Sequence, residues 1–182
     1  FSEYDFGADL MGATVVPIPL EEDFQFDVDK MLEAVTEKTK LLYVCSPNNP
    51  TGTYLPKSQL EKLLEAVPER VLVVIDGAYS HYATADDYTD GLEYVKAGKP
   101  VIVLQTFSKV YGLAGLRIGF GVAPASIIQT ILKVKEPFNV NSIAQAAAIA
   151  AINDDAHVEA SIESNQKGAA YLYDAFDALG LH

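Results

Sequence analysis

Cysteine is almost absent: Cys45 is the single example in 182 residues. One thiol excludes an internal disulfide framework and a cysteine-based zinc site. Histidine is scarce as well. His81, His157 and His182 stand at no metal-ligand spacing, and no His-Glu-x-x-His occurs, so a metal centre is not expected. Basic residues are few: 13 Lys and Arg against 25 Asp and Glu leave a net charge of −12. Such a surface is solvated and repels polyanions, which makes nucleic acid and anionic membranes poor partners. Any anionic ligand must be held by a local cluster of donors. Apolar runs such as residues 71–75 are too short to span a bilayer. The first residues show no basic segment followed by an apolar one, and a cytoplasmic location is the default expectation.

What is present is ordinary globular composition, with 49% hydrophobic, 10% aromatic and 21% charged residues. The length suits one domain, or one domain and part of another. The chain opens Phe1-Ser2-Glu3-Tyr4 without a methionine and closes at His182 straight after a helical pattern. It reads as the interior of a longer protein.

Hydrophobic periodicity alternates between strand and helix. Residues 2–12 read as a short helix closed by Gly12, and 13–20 as an edge-type strand carrying Pro17 and Pro19. Residues 27–36 and 57–67 have apolar positions at helical spacing. Residues 40–45, 71–75, 101–105 and 117–123 read as strands, the last rich in glycine. Residues 124–134, 141–152 and 154–179 read as helices, the second with an alanine face that implies close packing. This alternation predicts an α/β domain with a mostly parallel sheet, in which function collects at the carboxyl ends of the strands.

Those ends are rich in chemistry. Ser46-Pro47-Asn48-Asn49-Pro50-Thr51-Gly52 follows the 40–45 strand. Asp76-Gly77-Ala78-Tyr79 follows the 71–75 strand. Thr106-Phe107-Ser108-Lys109 follows the 101–105 strand, and Gly112-Leu113-Ala114-Gly115-Leu116-Arg117-Ile118-Gly119 comes next. An amine beside a guanidinium suits attack on an aldehyde. Two hydroxyls with an arginine make a phosphate cradle. A carboxylate at the end of a buried strand calls for a cationic partner, and a protonated pyridine nitrogen is one. Together they are what pyridoxal 5'-phosphate requires.

These segments resemble the fold-type I pyridoxal-phosphate aminotransferases, above all the histidinol-phosphate aminotransferase branch. The family pattern is Ser-Pro-Asn-Asn-Pro-Thr-Gly, then Asp-Glu-Ala-Tyr, then Thr-hydrophobic-Ser-Lys and Gly-Leu-Ala-Gly-Leu-Arg-hydrophobic-Gly. All occur here in order, with Arg117 eight residues beyond Lys109, and the likeness covers essentially the whole chain. One position departs: Gly77 stands where the family usually carries Glu.

The resemblance implies a three-layer α/β/α large domain over residues 1–153, incomplete at its start. Residues 154–182 would be a long helix leading towards a small domain. Lys109 resembles the lysine that binds the cofactor aldehyde and then carries the substrate proton. Asp76 resembles the partner of the ring nitrogen, and Asn49 and Tyr79 the donors to the ring oxygen. Thr106, Ser108 and Arg117 resemble the phosphate ligands. Phe1 falls where the family has an aromatic that stacks on the ring. His81 reads as a loop histidine, and Cys45 as a small buried hydrophobe. The implied function is amino transfer between histidinol phosphate and 2-oxoglutarate in histidine biosynthesis, by a homodimer whose partners are a small amino donor and a 2-oxo acid. Within the same fold, aromatic aminotransferases, threonine-phosphate decarboxylase and a non-catalytic regulator domain share the core motifs. The resemblance also implies that parts of the phosphate and substrate sites lie outside this chain, which alone would be inactive.

Overall fold

The computed structural model describes residues 2–181, the side chain of Ser2 excepted. The chain divides into two compact units, one formed by residues 1–105 and 120–135, the other by 106–119 and 136–182.

The first unit is built on a sheet of β1 (Leu41–Cys45), β2 (Leu72–Asp76), β3 (Val101–Thr106) and β4 (Gly119–Val122), in that spatial order. β1 pairs with β2, and β2 with β3, in parallel. Parallel neighbours need long crossovers, which helices usually provide. Here α3 (Lys57–Ala66) links β1 to β2, and α4 (Leu92–Lys96) links β2 to β3. α1 (Ser2–Leu10), α2 (Val28–Glu33) and α5 (Ala125–Leu132) complete the helices of this unit.

The core explains the pairing. Val44, Val73, Ile75, Val101 and Val103 are buried together with Leu60, Leu63 and Leu64 of α3 and with Val28 and Met31 of α2. β-Branched residues fit a pleated surface, and the α3 leucines recur at helical spacing, so one face of the helix is apolar. The Asp27 carboxylate starts α2 by accepting from Lys30 N–H at 2.9 Å. Gly91 starts α4 with φ +83, and a Cβ there would stand 2.5 Å from Ile75 Cδ1. Backbone conformation and core packing thus both require glycine at that position.

In the second unit, Asn141 caps α6 (Ser142–Ala151), its Oδ1 accepting from Ala144 N–H at 2.8 Å. Ala144 and Ala148 are buried on one face of α6, as the alanine pattern predicts. Asp154 caps α7 (Asp155–Ala178) by accepting from His157 N–H at 3.1 Å.

Two segments differ from expectation. Residues 13–20 form no strand. Pro17 and Pro19 lack N–H groups at alternate positions, so one side of the segment has no donors for a ladder. The strand expected over 117–123 begins only at Gly119, because Arg117 adopts φ 54, a left-handed conformation incompatible with extended pairing. Helix α4 and the one-turn helices Ser80–Tyr82 and Ala114–Leu116 are too short to leave a periodic signal. No helix among the described residues is long and apolar enough to cross a membrane.

Candidate active site

Register brings the strand ends level. Cys45 pairs with Asp76, and Asp76 with Leu104. Hydrogen bonds continue one step further, from Ser46 N–H to Asp76 O at 3.1 Å and from Gly77 N–H to Leu104 O at 3.0 Å. The loops that follow β1 and β2 therefore start side by side.

The β1 loop is braced from several directions. It contains cis peptide bonds before Pro47 and Pro50. Asn48 N–H donates to Thr53 O at 2.7 Å, Gly52 N–H donates to Asn48 O at 2.9 Å, and Asn48 Nδ2 donates to Thr51 Oγ1 at 2.8 Å. Buried Ser46 accepts at Oγ from Leu55 N–H at 3.0 Å, and its carbonyl accepts from Tyr88 Oη at 3.2 Å. Asn49 is thereby carried on a fixed turn. Its Nδ2 lies 3.4 Å from Tyr79 Oη, to which it donates. The structure thus brings together the amide and the phenol that the sequence places 30 residues apart.

Asp76 ends β2 half-buried. Its Oδ1 accepts from Ala78 N–H at 3.1 Å, and its Oδ2 accepts from Tyr4 Oη at 2.6 Å. The Tyr4 ring stacks on Tyr43 of β1, with centroids 4.6 Å apart. Burial, reinforced by the Asp76 carboxylate, pushes the Tyr4 phenol well above the usual tyrosine range. Phe1, the expected stacking aromatic, lies outside the described residues.

Nearby, Ser80, His81, Tyr88, Asp90, Leu92, Gln105 and Phe120 line a cavity of about 490 Å³. Burial lowers the His81 pKa, with Asp90 opposing the shift. Cys45 is buried, its thiol directed at Pro47 O.

The second unit carries the lysine and the arginine on one closed loop. Phe107 N–H donates to Ile118 O at 3.1 Å, Leu113 N–H to Phe107 O at 2.9 Å, and Gly112 N–H to Lys109 O at 2.9 Å. Buried Phe107 and Val110 anchor the loop from within. A ring nitrogen of His157 lies 3.0 Å from Val110 O, tying the loop to α7. Thr106 Oγ1 accepts from Ser108 N–H at 3.1 Å, so the two hydroxyl residues form one turn. Lys109 and Arg117 are exposed. Arg117 donates through Nη1 to Ala114 O at 2.8 Å.

Each unit carries donors of a kind that suits pyridoxal phosphate. The first unit offers a fixed carboxylate for a ring cation and an amide–phenol pair for a ring oxygen. The loop offers an amine for an aldehyde, and two hydroxyls and a guanidinium for a phosphate. Among the described residues no group of His, Cys, Asp and Glu could hold a metal ion. Tyr4, as the donor to Asp76, and His157, as a brace of the lysine loop, left no trace in the sequence. Both contacts join residues far apart in the chain, and neither belongs to a motif.

The chain is 52% identical over 182 residues to a histidinol-phosphate aminotransferase of Moorella thermoacetica, covering 100% of this chain and 47% of that protein. It is similar to the structure of a histidinol-phosphate aminotransferase from Sinorhizobium meliloti in complex with pyridoxal-5'-phosphate. There the TM-score is 0.81 at 31% identity, over 89% of this chain and 44% of that one. A Thermus thermophilus aspartate aminotransferase double mutant gives a TM-score of 0.88 at 29% identity, over 100% of this chain and 50% of that one. The chain spans about half the length of the curated relatives it matches. The family model for aminotransferase class I and II matches residues 1–182, and the chain belongs to that family.

Proposed function

We propose that the protein carrying this chain is a pyridoxal-phosphate-dependent aminotransferase that moves an amino group between histidinol phosphate and 2-oxoglutarate in histidine biosynthesis. The observation that carries the reading is the closed loop at the end of β3, which holds Lys109, Ser108 and Arg117 between two backbone hydrogen bonds to Phe107. The similarity to the histidinol-phosphate aminotransferase of Moorella thermoacetica supports the choice of donor.

When bound, the cofactor supplies an electron sink for the carbanion at the substrate α-carbon. The chain's own residues do the rest. Lys109 would supply the amine that holds the aldehyde, and its Nζ would be the group that moves the substrate α-proton. Asp76 would pair with the ring nitrogen and keep it protonated. Asn49 and Tyr79 hold the ring oxygen. Thr106, Ser108 and Arg117 would hold the phosphate. Residues 1–153 are the cofactor-binding part, and 154–182 the helix leading to a second domain. A cytoplasmic homodimer taking a small amino donor and a 2-oxo acid completes the reading.

The test is reduction with borohydride after incubation with pyridoxal phosphate, followed by peptide mapping. A single pyridoxyl adduct on Lys109 is the expected result, and an adduct spread over several surface lysines rejects the site. Donor profiling of the protein that carries the chain then tests the substrate. Amino transfer from histidinol phosphate is expected; carbon dioxide release from threonine phosphate, or preference for aromatic donors, replaces that assignment.

A further inference from the structure

Asp76 has a specific donor on each carboxylate oxygen. Ala78 N–H reaches Oδ1 at 3.1 Å from two residues away, and Tyr4 Oη reaches Oδ2 at 2.6 Å from 72 residues away. The second distance is in the range of a hydroxyl donating to an ionised carboxylate. Two donors on separate oxygens fix the plane of the group about its last torsion, and lone pairs remain on both oxygens for a further partner. The Tyr4 ring is itself held: it lies on Tyr43 with 22° between the planes. A phenylalanine would make the same stack, so packing accounts for the ring and leaves the hydroxyl unexplained.

We propose that Tyr4 is a positioning residue for Asp76: its phenol locks the carboxylate in the orientation that receives a protonated aromatic ring nitrogen. The proposal rests on the cofactor reading above. The phenol is suited to the task, because burial and the neighbouring carboxylate both resist its ionisation, with the Cys45 thiol adding to the same direction. It therefore remains a donor throughout the range in which the carboxylate is charged. Orientation fixed in advance is orientation that the ligand need not impose on binding.

The test compares two aldehydes on the full chain: pyridoxal phosphate, and its 1-deaza analogue, in which C–H replaces the ring nitrogen. Affinities are read by absorbance titration. The wild-type chain should prefer pyridoxal phosphate. Tyr4→Phe should weaken pyridoxal phosphate by about three- to tenfold, part of the worth of one charge-assisted hydrogen bond, and leave the analogue unchanged. Equal loss for both ligands means that Tyr4 only packs, and overturns the proposal; so does no loss for either. A wild-type chain that fails to tell the ligands apart overturns the role of Asp76 itself, which is a different failure. A second measurement needs no cofactor. In carbon-13 tyrosine spectra, the resonance lost in Tyr4→Phe should titrate at lower pH in Asp76→Asn than in wild type, and an unchanged midpoint overturns the contact.

Discussion

The Gln105 side chain lies where a side chain at position 77 would begin: a Cβ on Gly77 would stand 2.9 Å from Gln105 Nε2 and 3.3 Å from Leu104 O. Gln105 Nε2 in turn donates to Ser80 Oγ at 2.9 Å. The glycine at 77 and the glutamine at 105 are therefore one packing solution, and a glutamate at 77 would compete for the same space. Gly77→Ala should destabilise the chain by about 1–3 kcal/mol through overpacking. Gln105→Ala in the same chain should recover most of that loss, read as urea midpoints in a double-mutant cycle. Additive effects of the two changes would disprove the coupling.

Arg117 holds a left-handed backbone, φ 54, that a non-glycine residue seldom adopts. Such a conformation persists where the surrounding structure fixes it, and it is common at ligand sites. Arg117→Ala should weaken pyridoxal phosphate by about ten- to a hundredfold, the worth of a charge-assisted contact to a phosphate. Unphosphorylated pyridoxal should bind the wild-type and variant chains alike. Parallel loss of both ligands in titration would place Arg117 elsewhere than at the phosphate.

His81 makes stability depend on pH in a stated direction. Burial lowers its pKa from 6.5, while Asp90 opposes the shift. The unfolded chain therefore takes up the proton more readily than the native one. This contribution is absent well above pH 6.5 and grows more unfavourable to the fold as pH falls through that value. His81→Gln should flatten the fall of the urea midpoint between about pH 7 and pH 5. The carboxylates Asp27 and Glu93, both lowered by lysine partners, act in the more acidic range below the ordinary carboxylate value. A slope unchanged by His81→Gln removes His81 as its source.

Asn141 serves two segments of the second unit. Its Oδ1 caps α6 at Ala144 N–H, and its Nδ2 donates to Leu116 O at 3.3 Å, next to Arg117. Asn141→Ala should cost about 1 kcal/mol from the cap. Asn141→Asp keeps the cap acceptor and loses the donor to Leu116, so it should recover the stability measured by thermal unfolding. If Asn141→Asp is as unstable as Asn141→Ala, the contact to Leu116 outweighs the cap.

Most elements were legible because their signals are local. The apolar runs at 71–75 and 101–105 became β2 and β3, and the leucines at 60, 63 and 64 became the buried face of α3. The candidate site residues were singled out for a different reason. Asn49, Asp76, Tyr79 and Lys109 sit in dense polar segments just after apolar runs, where a parallel sheet exposes its chemistry. The failures have physical causes. Residues 13–20 show β-branched residues, but Pro17 and Pro19 remove the donors that a ladder needs. Arg117 was read into a strand because a single residue's backbone angle leaves no periodic trace.

The sequence by itself determined the alternation of strand and helix, the motifs at the strand ends and their order, since periodicity and motif spacing are properties of neighbours along the chain. Only the tertiary structure decided that Tyr4 donates to Asp76, that Gln105 stands over Gly77, and that His157 reaches the carbonyl of Val110. Each of these joins segments through sheet register or helix packing. A hydrogen bond between residues 72 positions apart depends on where the backbone carries them, which no local pattern encodes.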